Sequence, residues 1–588
     1  INLLSKAKQV LSQFHGRLST KQLLAVASVI VAICTGAMVV VLKFGVHYLQ
    51  VYAQKLSSSH LVFAVLMPMV GVSLTVIIIR FLFKGNLDRG TSHILFAIAR
   101  KGSRIPSKEI YGHPLTTSLT VGLGGSAGIE SPIVQTGAAI GSTVASYFPF
   151  GFKERTLLLA CGAAAGIGAA FNAPIAGVLL ALEVLLVDVT VSAFIPLLIA
   201  GAIGALCSTI LSGDTLLLSF PKISHFDHHN IPFYIVLGIC CGLSSVYYIR
   251  SMIFVQEKLK LVAKNAFGRI AIGCTVLGVA IAFVPGLYGE GMGAIRSLSS
   301  NEPLELFNNE LIAFESQNSA LLIALFVLSL VLLKPIATGL TIGAGGTGGN
   351  FAPSLFVGAC LGFAVATLLQ ILGFNQVPLM NFCLVGMAGS LAGIFHSPLT
   401  AIFLIAELTG GYGLMIPLIA VAAISSGLSK YINPTSLDET ILNKQMTGFS
   451  FDKDIQVLSH LDVKSLLETD FRTVTPEMSL RELVNIIANS KRNIFPVLDD
   501  SGGLKGIISL ENIREKMFDQ TLYDTIKTAQ LMQPPVVKVS PNESMATVME
   551  KFDKFSVWNI PVISDGKYIG FISKSKIFSS YRENLKTS

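Results

Sequence analysis

A chain of 588 residues in which 52% are hydrophobic and only 13% charged falls well short of the roughly 25% charge of soluble domains, which excludes a soluble enzyme for most of its length. The net charge of +8 does not mark a nucleic-acid binder, because the basic residues flank apolar segments, as in KGSRIPSK (101–108) and GFKER (151–155), instead of forming one dense patch. The positive-inside rule would place such loops in the cytoplasm.

In chain order, residues 1–22 interleave Leu4, Val10, Leu11 and Phe14 with Lys6, Lys8 and Lys21. This pattern predicts an interfacial amphipathic helix rather than a cleaved signal sequence, which needs a longer apolar core. From Leu23 onward apolar runs of bilayer-spanning length recur, among them 23–42, 61–82, 231–249, 270–284 and 319–333. Others, in 156–211 and 354–428, are shorter or broken by Gly and Pro. All eight cysteines, Cys34 to Cys383, lie in apolar stretches, which reads as small core residues and not as a disulfide framework. Near residue 440 the chain turns polar, with strand-like runs such as NIFPVL and GIISL. The expected division is an amphipathic segment 1–22, a membrane domain 23–442, a linker 443–460, and a soluble tail of two units, 461–520 and 521–588.

The membrane part repeats. VGLGGSAGIESPIVQTGAAIGS (121–142) aligns with IGAGGTGGNFAPSLFVGACLGF (342–363), and GAAAGIGAAFNAPIAGVLLALEV (162–184) with GMAGSLAGIFHSPLTAIFLIAEL (386–408). Pro174 pairs with Pro398, Glu183 with Glu407 and Asn172 with His396. Two blocks in the same order, each interrupted by Gly and Pro, point to transporter halves, expected to be inverted, with the site at their interface.

Within each half a glycine-rich loop runs into a proline and then an apolar helical stretch. Proline suits the first turn of a helix, so Pro132 and Pro353 are expected to mark helix starts inside the membrane. The free N–H groups and positive dipole end at such a start attract an anion, and glycines let the backbone approach it. Two starts meeting near the midplane would make an uncharged anion site that also lets the ion leave. Glu130, alone among apolar neighbours, then reads as a gate: an intramembrane carboxylate is functional by default. It can occupy the anion site itself and swing away when protonated. Glu183 and Glu407 are expected to be structural helix-end residues, and His396 a packing or capping residue. The Asp227-His228-His229 cluster reads as a solvated loop and not as a metal site, since it lacks a spaced partner.

These residues resemble the CLC chloride channels and chloride/proton antiporters. GIESP (128–132) is similar to their GxEGP motif and GNFAP (349–353) to their GxFxP motif, and AFNAPIAGVLLALEV is also typical of them. The resemblance runs through most of residues 20–442. It implies a polytopic α-helical membrane fold with inverted repeats and broken helices, a homodimer with a pore in each subunit, Glu130 as the external gating acid, and an anion site at Gly128, Ile129, Asn350 and Phe351. Chloride is the implied substrate, with protons as its partner if transport is coupled.

Several positions depart from the family pattern. Its GSGIP-type motif aligns with DRGTS (88–92), which puts Arg89 at the anion-binding serine, beside Gly90, and the pore tyrosine aligns with Asp438 in LDETIL. Arg89 either pairs with Asp438 or points away; the sequence leaves both open. Ser131 replaces a motif glycine, and the methionine of the fluoride-selective branch is absent from DRGTS. Where many antiporters carry an internal proton-transfer glutamate, this chain has Val184, as in members that are passive channels.

The tail repeats too. Residues 461–513 parallel 529–577, each with V-x-P-x-x-S, a helix, NI(F)PV, an acidic turn and G-h-I-S. These units resemble paired CBS domains, of α/β character, which often bind adenine nucleotides; the nucleotide candidates are Ser509 and Asn512 in one unit and Ser573 and Lys576 in the other. The ribose-binding acid of the family is Asn512 or Lys576 here, which speaks against tight nucleotide binding of the usual kind. No cofactor is expected to be required. The chain is thus expected to be a CLC-type anion transport protein in a membrane, with a bacterial inner membrane favoured and the tail cytoplasmic. A CBS-regulated cation transporter is the rival from another class, and it would need acids within the spans to coordinate metal. An enzyme is not expected, for lack of a coherent His/Asp or Ser/Lys pairing.

Overall fold

In the computed structural model, which describes residues 19–57, 61–85, 87, 90–185, 191–213, 226–299, 320–445 and 462–587, the chain separates into two units, 1–445 and 446–588. The first is helical. Nine of its helical stretches among the described residues are long and apolar enough to cross a membrane.

Two long helices, α1 (Thr20–Ser57) and α2 (Leu61–Phe81), lead in. The first repeat then runs α3 (Ser92–Arg100), α4 (Glu109–Gly122), α5 (Glu130–Ala145), α6 (Phe152–Phe171), α7 (Pro174–Leu180, continued by a π turn over Ala181–Leu185) and α8 (Val191–Ser212). After α9 (Ile231–Val262), α10 (Ala266–Phe283) and the short α11 (Met292–Ser299), the second repeat runs α12 (Ala320–Ala344), α13 (Phe351–Ile371), α14 (Leu379–Phe395), α15 (Pro398–Leu408), α16 (Met415–Ile432) and α17 (Leu437–Gln445). The expected amphipathic segment lies outside the described residues up to residue 18, and its last three residues already belong to α1. The linker expected from 443 begins later, since α17 continues to Gln445.

The outer helices α1, α2, α8, α9 and α10 expose rows of large apolar side chains, such as Val41, Phe44, Ile195, Ile210 and Val276. A bilayer is the solvent that such a surface fits. The inner helices α5, α6, α13 and α14 are buried almost throughout. Their packing follows from glycine. A Cβ on Gly137 or Gly162 would collide with the backbone of the other, and the equivalent pair Gly358 and Gly386 behaves alike. Each repeat therefore brings two helices into backbone contact, as small-residue interfaces allow in membranes.

The repeats meet through reciprocal bonds. Gly128 N–H donates to Gly349 O at 2.8 Å and Gly349 N–H to Gly128 O at 2.7 Å. Ser126 N–H donates to Thr341 Oγ1 at 3.0 Å, while Thr347 N–H donates to Thr120 Oγ1 at 3.1 Å. Thr120 and Ser126 correspond to Thr341 and Thr347 in the repeat alignment, so each half gives the other what it receives. Such exchange is the local signature of a pseudo-two-fold axis. The helix ends match as well: Asn172 and His396 both take the left-handed conformation as C-caps, with φ of 55°. His396 is therefore a capping residue, as expected from its alignment.

The tail is α/β. Its first unit contains α18 (Leu480–Ala488), the hairpin β1 (Ile494–Leu498) and β2 (Leu504–Ser509), and α19 (Leu510–Ile513). The second contains α20 (Met545–Phe555), the hairpin β3 (Asn559–Ser564) and β4 (Lys567–Ser573), and α21 (Lys574–Thr587). Both hairpins are antiparallel, with a register shift at the same place, Val497/Leu498 and Val562/Ile563. Each first strand also takes a parallel bridge, Val474 to Val497 and Val539 to Val562.

Candidate anion site between the repeats

The helix starts expected from Pro132 and Pro353 are present, with each proline as third residue of its helix: α5 opens at Glu130 and α13 at Phe351. Ile129 and Asn350 are the respective N-caps. Neither caps its own helix with a side chain, which leaves backbone N–H groups free for another acceptor. Glu130 takes that role. Its carboxylate reaches across the repeat boundary, and Oε2 accepts the N–H of Ala352 in α13 at 3.3 Å. The crossing needs a glycine at 128, where a Cβ would collide with Oε2. The second oxygen, Oε1, is buried and meets no hydrogen-bond donor among the described residues. The carboxylate thus sits where a helix start would hold an anion.

Beside it lies a small cavity, lined by Glu130, Ser131, Val134, Phe351 and Asp438 together with Thr91, Ile167, Leu180, Val184, Phe395 and Ser397. Phe351 lies 5.7 Å, ring to ring, from both Phe171 and Phe395, and these two close the equivalent helices α6 and α14. Asn350 is held by its side chain, since Oδ1 accepts the hydroxyl of buried Tyr248 at 3.2 Å. Gly128 and Ile129 stay in the buried backbone, Gly128 in the bridge to Gly349 and Ile129 at the cap. Gly90 adopts a positive φ of 89° before α3. Arg89 lies outside the described residues.

Among the described residues of the DRGTS stretch, Thr91 lines the cavity. Its hydroxyl stands 3.0 Å from Ser131 Oγ, and Asp438 lines the same cavity. Sequence reasoning passed over Thr91, Ser131 as a lining hydroxyl, and Ser397. Alignment to the serine and proline of a family motif drew attention to the residues on either side of Thr91. A second omission is Lys334, fully buried in α12, where Nζ donates to Gly289 O at 3.0 Å and Leu287 O at 3.3 Å and lies 5.0 Å from the Phe356 ring centre. One lysine within an apolar run of spanning length was the available signal.

Glu183 and Glu407 do not line a path together; each binds a helix start in the opposite repeat. Asp227, His228 and His229 cluster on an exposed turn where Asp227 accepts the His229 N–H at 3.0 Å.

In the tail the four nucleotide candidates form two equivalent helix starts rather than one cluster. Ser509 Oγ accepts the Asn512 N–H at 3.3 Å, and Ser573 Oγ accepts the Lys576 N–H at 3.2 Å. Ser573 is further committed, since its hydroxyl also donates to Glu468. Arg492 binds that same carboxylate and Asp470, and the two acids hold the guanidinium above its ordinary pKa. A carboxylate at the Ser573 position fits a phosphate poorly. No acid is hydrogen-bonded to Ser509 among the described residues, and the residue is half-exposed.

Comparison with known proteins gives a consistent picture. The family model described as voltage gated chloride channel matches residues 70–430, well over half the chain, and that of the CBS domain matches 463–519 and 528–583. Chloride channel protein CLC-f of Arabidopsis thaliana is 25% identical over 525 residues, covering 77% of this chain and 65% of its own length. The H(+)/Cl(-) exchange transporter ClcA of Vibrio campbellii is 28% identical over 307 residues, covering 51% of this chain and 62% of its own length. The chain thus spans a little less than two thirds of these relatives. Among solved structures, a slow cyanobacterial Cl-/H+ antiporter superimposes with a TM-score of 0.63 at 21% identity, covering 73% of this chain and 98% of the other. A eukaryotic CLC transporter gives 0.60 at 18% identity, covering 95% and 99%.

Proposed function

The chain belongs to the voltage-gated chloride channel family and carries a CBS pair, and from that premise we propose that it moves chloride or a similar small anion across a membrane, with Glu130 as the gate. The observation that carries this reading is the Glu130 carboxylate on the Ala352 N–H at the start of α13, at the edge of the cavity. An anionic side chain there competes with a permeant anion for the same donors, and protonation releases it. Relatives named as chloride channels and as an H(+)/Cl(-) exchanger support the substrate.

A second reading, a passive uncoupled channel, is favoured by Val184, which lines the cavity with an apolar side chain. Simultaneous chloride and proton flux from proteoliposomes separates the two. Proton movement driven uphill by a chloride gradient establishes exchange, and chloride leak without it establishes a channel. In either case Glu130→Gln should raise flux at neutral and alkaline pH above that of the wild type, because it mimics the protonated gate; unaltered flux there would remove Glu130 from that role.

The proposal extends to a homodimer with a pore in each subunit and to a cytoplasmic, regulatory tail. Removing residues 450–588 should leave anion selectivity intact, and a changed selectivity would count against that division. An adenine nucleotide, if bound, belongs at the Ser509 and Asn512 end, and Asn512→Ala should weaken ATP binding there without changing the cavity.

A further inference from the structure

Two carboxylic acids, Glu130 on α5 and Asp438 on α17, line one cavity that no cationic residue lines among the described residues. Asp438 is buried, 6% exposed, and shares the cavity lining with Thr91, whose hydroxyl stands 3.0 Å from Ser131 Oγ. α17 packs against α3 and α14, and four titratable groups on these elements have other partners. Glu439 accepts the Ser436 N–H at 2.8 Å, and Lys444 pairs with Glu257 of α9. His93 of α3 pairs with Glu109 at 3.7 Å, and His396 at the end of α14 lies 3.5 Å from Ser429 Oγ. Arg89 lies outside the described residues.

An anion entering such a cavity meets up to two like charges. In a poorly screened interior each unit charge about 5 Å away weakens binding on the order of a hundredfold. Protonating a carboxyl removes the repulsion and turns an acceptor into an O–H donor. We propose that the cavity takes up an anion together with a proton at Asp438, in addition to any taken up at Glu130. This rests on the anion-transport reading of the same cavity. The Thr91 hydroxyl, beside Ser131 and lining the same cavity as Asp438, can both donate and accept. Asp438 thereby supplies, from α17, a titratable group in a cavity where Val184 offers none.

Chloride titration of the full chain in detergent by calorimetry, in two buffers of different ionisation enthalpy, counts the protons taken up per anion. Glu130→Gln should still take up protons with chloride, and its affinity should rise at least about tenfold from about pH 7.5 to about pH 5.5. Glu130→Gln/Asp438→Asn should bind chloride with no proton uptake and no pH dependence, and Glu130→Gln/Asp438→Glu should restore both. Chloride binding by Glu130→Gln without proton uptake overturns the inference and leaves the transport reading intact; this is also the outcome if a cation holds Asp438 ionised. Undiminished uptake in Glu130→Gln/Asp438→Asn overturns it as well. If neither the wild type nor Glu130→Gln binds chloride, the transport reading itself fails. Should the double variant not fold, Glu130→Gln alone decides the matter.

Discussion

The Glu183 carboxylate accepts both the N–H of Thr400, at 2.8 Å, and its hydroxyl, at 2.7 Å, while its other oxygen accepts the Leu399 N–H at 3.0 Å. Glu183 lies in the π turn that ends α7; Leu399 and Thr400 open α15 in the other repeat. The mirror bonds exist: Glu407, near the end of α15, accepts from Ile175 at 3.0 Å and Ala176 at 2.9 Å, at the start of α7. Each short, Pro-initiated helix therefore has its open N-terminus closed by an acid from its counterpart, where the dipole favours negative charge.

These crossed caps should be worth stability rather than transport chemistry. Glu183→Ala and Glu407→Ala should each lower unfolding stability by about 1–3 kcal/mol, the range for charge-assisted bonds and lost caps. Thermal unfolding of the detergent-solubilised chain reads the effect, and the glutamine variants should lose less. Unchanged melting in both alanine variants would show that the caps are idle.

Gly128 should control where the Glu130 carboxylate sits. A methyl group there occupies the space of Glu130 Oε2, so Gly128→Ala should push the carboxylate off the Ala352 N–H and raise chloride leak at neutral pH. Added to Glu130→Ala, the same change should have little further effect. Equal leak in wild type and Gly128→Ala would mean that the carboxylate reaches its place by another route.

The helix crossings should tolerate no side chain. Gly162→Val faces the Gly137 backbone and cannot be accommodated without parting α5 from α6. A loss of at least about 1–3 kcal/mol follows from overpacking alone. Gly427→Val, on α16 with open space around its Cβ position, is the control and should melt nearly as the wild type does.

In the tail, Asp499 closes the turn of the first hairpin. It accepts the N–H groups of Ser501 and Gly503 at 3.1 and 2.7 Å and the Ser501 hydroxyl at 2.6 Å, with Lys505 at 3.2 Å. The Ser501 hydroxyl and the Gly503 N–H hold its carboxyl down at about 2. A depressed carboxyl stabilises the fold above its unfolded value of about 4, and the contribution is lost as pH falls towards 2. Urea midpoints followed by fluorescence of Trp558, the sole tryptophan of the sequence, should therefore be lower in Asp499→Asn at neutral pH. The difference should close between about pH 4 and 2. A gap that stays constant through that window would assign the effect to geometry rather than ionisation.

Much of the fold was legible in the residues because its determinants are local or periodic. Spans of apolar residues have one stable environment, and a proline after a glycine-rich loop has few places to sit except a helix start. Two blocks aligned in order implied two halves built alike, and Asn172 with His396 at matching ends followed from that alignment. Glu130 was visible because a single charge among apolar neighbours is costly.

What the sequence could not decide is which side chains converge. Residues 91, 130, 184, 351, 397 and 438 line one cavity, yet they are brought there by six different stretches of chain, and no periodicity relates them. Glu183 and Glu407 show the same limit. Their type and place at helix ends were readable, whereas their exchange across the repeats was not, because a partner more than 200 residues away is chosen by how the halves pack. The residues themselves set the composition, the spans, the repeat and the one conspicuous acid. The backbone contact between glycine-lined helices fixed how the halves dock, and that docking alone put Asp438 and Thr91 in one cavity with Glu130.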